Sequence, residues 1–409
     1  MKILLVSDYG TPTGGAEATM LTLREGLRQR GHDARLFTSS ARPLGVRGLA
    51  DYECLGTMTP FRIPLRAANP WAFVKFRRVL TEFQPDIVHI GMFLVQLSPL
   101  ILPLLKEVPS LYHIHWYRPI CLTGTKMLPD GNICRSRIGT VCYQSHCIPF
   151  AAWMLLMLQM KLFHRWRKVF NLIVTNSEAM RQRLVLEGIE PVETVWYGVP
   201  IRPPRPQLSL PSNVAFAGRF VREKGIDLLL TSFAKVVAQI PEAKLSLAGD
   251  GPERGSLNRL IDKLGLSSSV FMLGYLSHQE MERHFADAWV QAIPSRWNEP
   301  FGIVAIEAMM RGTAVVATRS GGLPEIVQDG QTGFLVEPGN VDALTEALLK
   351  ILSDSTLAER MGARGREKAL KKFTEDIYVD KFIQLYERIS HKSFAHLTLS
   401  LSPSGERGG

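Results

Sequence analysis

Twice along its 409 residues the chain alternates short, wholly apolar runs with amphipathic stretches, and a proline-rich segment separates the two series. A short run that is apolar on both faces reads as a strand covered on both sides, which is the condition of a parallel sheet. In the first series ILLVS follows Lys2, and a glycine-bearing loop from Asp8 to Ala16 leads into a helix over Ala16 to Arg30 that Gly31 ends. The next strand restarts at Ala34 to Thr38, and PDIVHI, SLYHIH and FNLIVTNS continue the pattern. From Ile87 to Leu105 the reading is a strand followed by a helix, because Pro99 and Pro103 argue against a membrane span. Residues 200–212, PIRPPRPQLSLPS, carry five prolines and read as a linker. Beyond it come NVAFAGRF, a helix over Ile226 to Gln239, AKLSLAGDG, SVFMLGYL, WVQAIPS, a helix over Gly302 to Arg311, AVVATRSGG and FLVEPG. The expected fold is therefore α/β, with two Rossmann-like doubly wound domains facing across a cleft. Their expected bounds are 1–200 and 201–373, followed by a C-terminal helix over 374–390 and a disordered tail over 391–409.

Hydrophobic residues make up 46% and charged residues 21%, which excludes a disordered chain and leaves each half enough apolar material for a core. The charge is unevenly placed. Residues 1–200 hold 23 Lys and Arg against 14 Asp and Glu, whereas residues 201–409 hold 25 against 24. A basic N-terminal half suits anionic partners, such as phosphorylated substrates or acidic lipid surfaces, although a merely solvated basic surface accounts for it as well. The start shows no secretory signal pattern, so the expected location is cytoplasmic, peripheral on the inner face of a membrane.

Most of the chemistry is concentrated between Trp297 and Val327. Pro300 and Gly302 stand where a helix begins, so free N–H groups at that start suit an anionic or hydroxyl-rich ligand. Glu307, further along the same helix, can accept two hydrogen bonds from a vicinal diol such as a ribose. Glu299 precedes the helix and reaches toward the sugar end. A second element, Phe216 to Asp227, places Arg219 and Lys224 in a glycine-containing turn between a strand and a helix. Two cations there oppose the helix dipole and ask for an anion between them, such as a diphosphate leaving group. Arg222 reads as a surface residue.

These strings resemble the family 4 retaining glycosyltransferases, also called glycosyl transferases group 1, which have the two-domain GT-B fold. The resemblance rests on Gly14-Gly15-Ala16-Glu17 and Thr175-Asn176-Ser177 in the first half. In the second half it rests on Gly218-Arg219, Lys224-Gly225, Gly249-Asp250-Gly251-Pro252, Glu299-Pro300-Phe301-Gly302 with Glu307, Gly321-Gly322 and Pro324-Glu325. It implies sugar transfer from a nucleotide-diphosphate sugar to a glycan or lipid-linked acceptor, with retention, without a metal and without a cofactor. It also implies a C-terminal helix crossing back to the N-terminal domain, which binds the acceptor. Arg219 and Lys224 would hold the donor diphosphate with Gly218 beside them, and Glu307 would hold the ribose. Glu299 and the backbone from Phe301 through Gly302 to Ile303 would face the transferred sugar, with Asn298 and Pro300 among the substrate-binding residues. Gly14 and Gly15 would let the first loop approach donor phosphate or acceptor.

His113 and His115 end a predicted strand, and His115 lies six residues before Cys121, a spacing seen in the resembling family. There an Asp follows the histidine, but Trp116 stands here. The reading puts a neutral His115 in the site and His113 in the core. Four of the five cysteines, Cys121, Cys134, Cys142 and Cys147, fall within 27 residues. None forms a C-x-x-C pair, so zinc, a structural loop and ordinary buried thiols all remain open, with a disulfide disfavoured in a cytosolic setting. The apolar run Ile148 to Lys168, ending in His164, Arg165, Arg167 and Lys168, reads either as core or as a helix lying among anionic lipids.

Four alternatives compete with this reading. A sugar-nucleotide epimerase shares the architecture but needs acid–base groups that no motif supplies, and a non-catalytic nucleotide-sugar binding protein would carry the same donor motifs. A nucleic-acid module would explain the basic half but not the second-domain motifs, so no nucleic acid is expected. The loop Gly10 to Gly15 does not follow G-x-G-x-x-G, which argues against a dinucleotide-dependent dehydrogenase.

Overall fold

The computed structural model describes residues 1–12 and 14–400, leaving aside the side chains of Leu44, His278 and residues 391–400. Among these, the strands form two separate parallel sheets. The first contains β1 (Lys2–Val6), β2 (Asp33–Ser39), β3 (Tyr52–Cys54), β4 (Ile87–Ile90), β5 (Ser110–Ile114), β6 (Leu172–Thr175) and β7 (Val192–Thr194), in the spatial order β3-β2-β1-β4-β5-β6-β7. The second contains β8 (Asn213–Ala217), β9 (Lys244–Ala248), β10 (Val270–Gly274), β11 (Ala288–Ile293), β12 (Ala314–Thr318) and β13 (Gly333–Val336), in the order β10-β9-β8-β11-β12-β13. The apolar runs are strands for the expected reason. β1 after Lys2, β4, β5, β6, β11 and β12 are buried along their whole length, because helices cover both faces.

In each sheet the strand order reverses once, between β1 and β4 and again between β8 and β11. Ligands of open parallel sheets bind beyond the carboxyl ends of the strands at such a reversal. The loop Ser7–Gly14 leaves β1 at the first reversal. The turn Gly218–Gly225 leaves β8 at the second, and the segment Pro294–Gly302 leaves β11 beside it.

Chain crossings tie the two halves together. Val199 N–H donates to Phe373 O at 2.9 Å and Glu375 N–H donates to Val199 O at 3.2 Å, so the outgoing and returning segments run side by side. The helix Glu375–Ser400 then lies against the helix Gly15–Gln29 of the first domain, with Arg30 paired to Asp376 at 2.7 Å and to Asp380 at 2.8 Å. One apolar core runs continuously from Leu5, Leu23 and Leu27, through Phe301, Ile306 and Met309, to Tyr378, Phe382 and Tyr386.

Two expectations are corrected. The last helix continues to Ser400 rather than ending near Ser390, since neither Gly nor Pro occurs between them and the first breaker is Pro403. Residues 391–400 are thus helical, and 401–409 of the expected tail lie outside the described residues. The segment after β4 is a 3-10 helix, Pro99–Leu105, rather than an α-helix, because Pro103 removes a backbone donor inside it.

Candidate active site

At the β8–β11 reversal, Gly225 has φ 67°, and a Cβ there would stand 2.1 Å from Pro294 O. Only glycine fits that backbone, and it lets the turn carrying Arg219 and Lys224 press against the end of β11. Across this contact Lys224 Nζ reaches Glu299, at 2.7 Å from Oε1 and 3.0 Å from Oε2. Ser295 Oγ and Trp297 Nε1 each donate to Glu299 Oε2 at 2.8 Å. Burial works to raise the Glu299 carboxyl, but the Lys224 ammonium and these donors outweigh it and hold it below its ordinary value of 4.5. Glu299 is therefore an anion that fixes Lys224. An ammonium has three donors and Glu299 engages it along one edge, leaving capacity for a further acceptor.

Gly302, at φ 118°, precedes the helix Ile303–Arg311, which starts with no side-chain cap. A Cβ on Gly302 would lie 2.6 Å from Leu323 Cδ2, so the left-handed residue also lets the two segments close. Glu307 sits on this helix at 8% exposure. Phe301 is buried at 1% exposure among Tyr197 and Phe373. Its side chain is core, so only its backbone is available to a ligand. Pro300 is buried and Asn298 partly so.

From the first domain, the helix Gly15–Gln29 also starts with no side-chain cap, at Gly14. A Cβ on Gly15 would come within 3.0 Å of Ile303 Cδ1, which places the starts of the two helices against one another. Glu17 in the first turn folds back over Gly14 and lies in the field of Arg219. Burial, with the nearby Asp8 charge adding to it, raises the Glu17 carboxyl to about 7. Arg219 itself is 71% exposed and stands 3.8 Å from Glu223, too far for a firm bridge. Arg219, Lys224, Glu299, Gly302, Ile303, Gly14 and Gly15 thus come together around one junction, with Gly218 at its edge.

His115 lies deeper. Its Nδ1 is hydrogen-bonded to Tyr197 Oη, its ring stacks on Tyr197 at 12°, and Asn176 Nδ2 donates to the same hydroxyl at 3.1 Å. Burial lowers His115 to about 3, so the ring is neutral at any working pH. His113 is fully buried against Phe382 and His89, as the core reading expects. Arg222 is exposed, yet it also donates to Asp130 O at 2.8 Å and to Pro129 O, bridging to a loop of the first domain.

Sequence reasoning did not foresee the residues that lock the domains. Glu325 accepts from Glu178 N–H at 3.0 Å and Ala179 N–H at 2.9 Å, the free start of the helix Glu178–Leu186, and from Trp196 Nε1 at 2.9 Å. Ser177 Oγ donates to Pro300 O at 2.5 Å. The signal was present, since both strings stood in the motif set, but their pairing across nearly 150 residues was not readable. Ser295 and Trp297 flank Glu299 in sequence and were equally overlooked.

Two doubly wound domains meeting at their carboxyl ends, joined by a crossing C-terminal helix, define the GT-B fold. Solved structures share it at the level of the fold. Sucrose-phosphate synthase from Thermosynechococcus elongatus aligns over 96% of this chain and 100% of its own, with a TM-score of 0.72 and 23% identity. HepE of Anabaena, in complex with UDP and glucose, aligns over 95% and 99%, with a TM-score of 0.69 and 20% identity. Residues 13–203 match the family described as Glycosyltransferase Family 4, and residues 208–368 match Glycosyl transferases group 1. The chain belongs to this glycosyltransferase family. Among curated relatives, the lipopolysaccharide core biosynthesis glycosyltransferase LpsE of Rhizobium meliloti is 34% identical over 184 residues, which is 44% of this chain and 52% of that protein. The chain spans about half the length of the first curated relatives it matches.

Proposed function

We propose that the protein transfers a sugar, with retention of configuration, from a nucleotide-diphosphate donor to a glycan or lipid-linked acceptor. The observation that carries this reading is the Lys224–Glu299 pair at the β8–β11 reversal, with Glu299 buried and Lys224 partly exposed. The second domain would take the donor and the first the acceptor. HepE, bound to UDP and glucose, lends the donor class support. In the proposed step the acceptor oxygen bonds to the anomeric carbon while the bond from that carbon to the diphosphate oxygen breaks. The electron pair goes to the diphosphate, whose added charge Arg219 and Lys224 neutralise, and the acceptor proton passes to a leaving phosphate oxygen. Glu307 holds the ribose in this scheme, and no metal or cofactor is required by it.

Membrane association belongs to the same proposal. No helix of the described residues is long and apolar enough to cross a membrane. The helix Phe150–Trp166 nevertheless exposes Phe150, Met154 and Leu158 four residues apart, at 54%, 50% and 48%, on a stripe running toward exposed Lys161 and Arg165. That pattern suits a helix lying in an anionic lipid surface on the cytoplasmic side.

Incubation with a panel of nucleotide sugars and candidate acceptors tests the reading. Free nucleoside diphosphate should appear with an acceptor present, and NMR of the product should show the donor's anomeric configuration. An inverted product, or isomerisation of the donor without acceptor, would overturn it.

A further inference from the structure

Residues 121–149 form a long connection in the first domain, with little regular structure beyond a bridge between Met127 and Ile133 and the one-turn helix Val141–Gln144. Connections beyond about 15 residues inside a compact domain are uncommon without a tie of their own. One tie is visible. Lys126, 2% exposed, donates to Ser136 O at 2.6 Å and to Glu187 Oε1 at 2.9 Å.

A second tie is implied by the cysteines. Cys121, Cys134, Cys142 and Cys147 all line one small, partly open cavity of ≈ 20 Å³, whose remaining walls are mainly apolar. That space matches a single small ion or water, about 10–15 Å³ being the minimum for one, and is far below a sugar. Backbone N–H of Lys126 donates to Cys121 Sγ at 3.3 Å, and Thr123 Oγ1 lies 3.2 Å from the same sulfur. None of the four cysteines is in a disulfide, and no three side chains among the described residues stand as a closed metal-ligand set. Closing the set requires rotation of cysteine side chains on irregular backbone.

We propose that Cys121, Cys134, Cys142 and Cys147 bind one Zn²⁺ as a structural site. Four soft ligands in an apolar shell select zinc, and the spacing of Cys142 and Cys147 falls within that of zinc-ligand pairs. Binding forms four Zn–S bonds and releases the thiol protons to solvent. The ion clasps the loop whose tip, Pro129 and Asp130, holds Arg222 only two residues from Lys224. It supports the turn that carries Lys224.

The test uses the full chain, untagged, purified under reducing conditions in metal-free buffer. Elemental analysis should find about one zinc per chain, lost in the C142S/C147S double variant. Chelation of the wild type should speed tryptic cleavage at exposed Arg135 and Arg137 by roughly tenfold or more, and added Zn²⁺ should restore protection. The proposal is overturned if the wild type holds no zinc as purified and takes up none when Zn²⁺ is supplied. It is equally overturned if the double variant keeps the zinc, or if mass spectrometry finds a disulfide among the four.

Discussion

At the scale of single residues, burial governs the histidines. His89, His113 and His115 lie together inside the first domain, with ring centroids 5.4 Å and 4.1 Å apart along the row. Burial lowers all three below the ordinary value of 6.5, and neighbouring imidazoles lower His89 and His113 further. The native protein keeps them neutral while the unfolded chain protonates them, so their contribution to stability is intact above pH 6.5 and is lost as pH falls below it. Asp8, raised by burial to about 6, and Glu17, raised to about 7, act in the opposite sense and offset part of the loss. Neither nitrogen of His113 has a hydrogen-bond partner among the described residues. H113F should therefore fold normally and remove one proton from the linkage. Its unfolding free energy from urea titration, relative to wild type, should rise as pH falls from 7 to 5, by about 1.4 kcal/mol per pH unit once the unfolded histidine is protonated. Parallel pH profiles for the two proteins would contradict the assignment.

Between elements, the Glu325 carboxylate at the start of the Glu178–Leu186 helix joins the domains through two backbone donors and the Trp196 indole. A charge at a helix start with direct hydrogen bonds is worth about 1–2 kcal/mol. E325Q should lower stability by that amount and broaden the interdomain distance distribution in small-angle scattering; an unchanged midpoint and profile would show that the clamp carries nothing. Legibility also divides at this scale. The strands could be read because fully apolar runs need covering on both faces, and the starts of the Ile226 and Ile303 helices because glycine precedes each. Contiguous strings placed Arg219, Lys224, Glu299 and Gly302 correctly at strand ends. What stayed hidden were pairs set by packing: Lys224 with Glu299 across 75 residues, Glu325 with the 178–186 helix, and Arg222 with the 127–133 hairpin. Sequence distance carries no record of those approaches.

For the whole molecule, the charge asymmetry and the apolar stripe of the Phe150–Trp166 helix lie in the same domain, which gives the proposed membrane surface both an apolar and an electrostatic component. Burying each exposed side chain contributes about 1.5–3 kcal/mol, while the cationic part is screened by salt. Purified protein should sediment with vesicles rich in phosphatidylglycerol at low salt, less at 0.5 M salt, and the M154E/L158E variant should lose roughly tenfold or more in partitioning. Failure of the wild type to bind at low salt would return that helix to a purely structural role.

In the proposed function, the β8–β11 reversal binds a diphosphate through Lys224, which Glu299 fixes. Calorimetric titration of wild type and K224A with nucleoside diphosphates and the corresponding monophosphates tests it most directly. The account predicts that the wild type prefers a diphosphate, and that K224A loses about tenfold or more of that affinity while its monophosphate affinity changes little. Equal affinity for the two nucleotides, or diphosphate binding undiminished in a folded K224A protein, would contradict it.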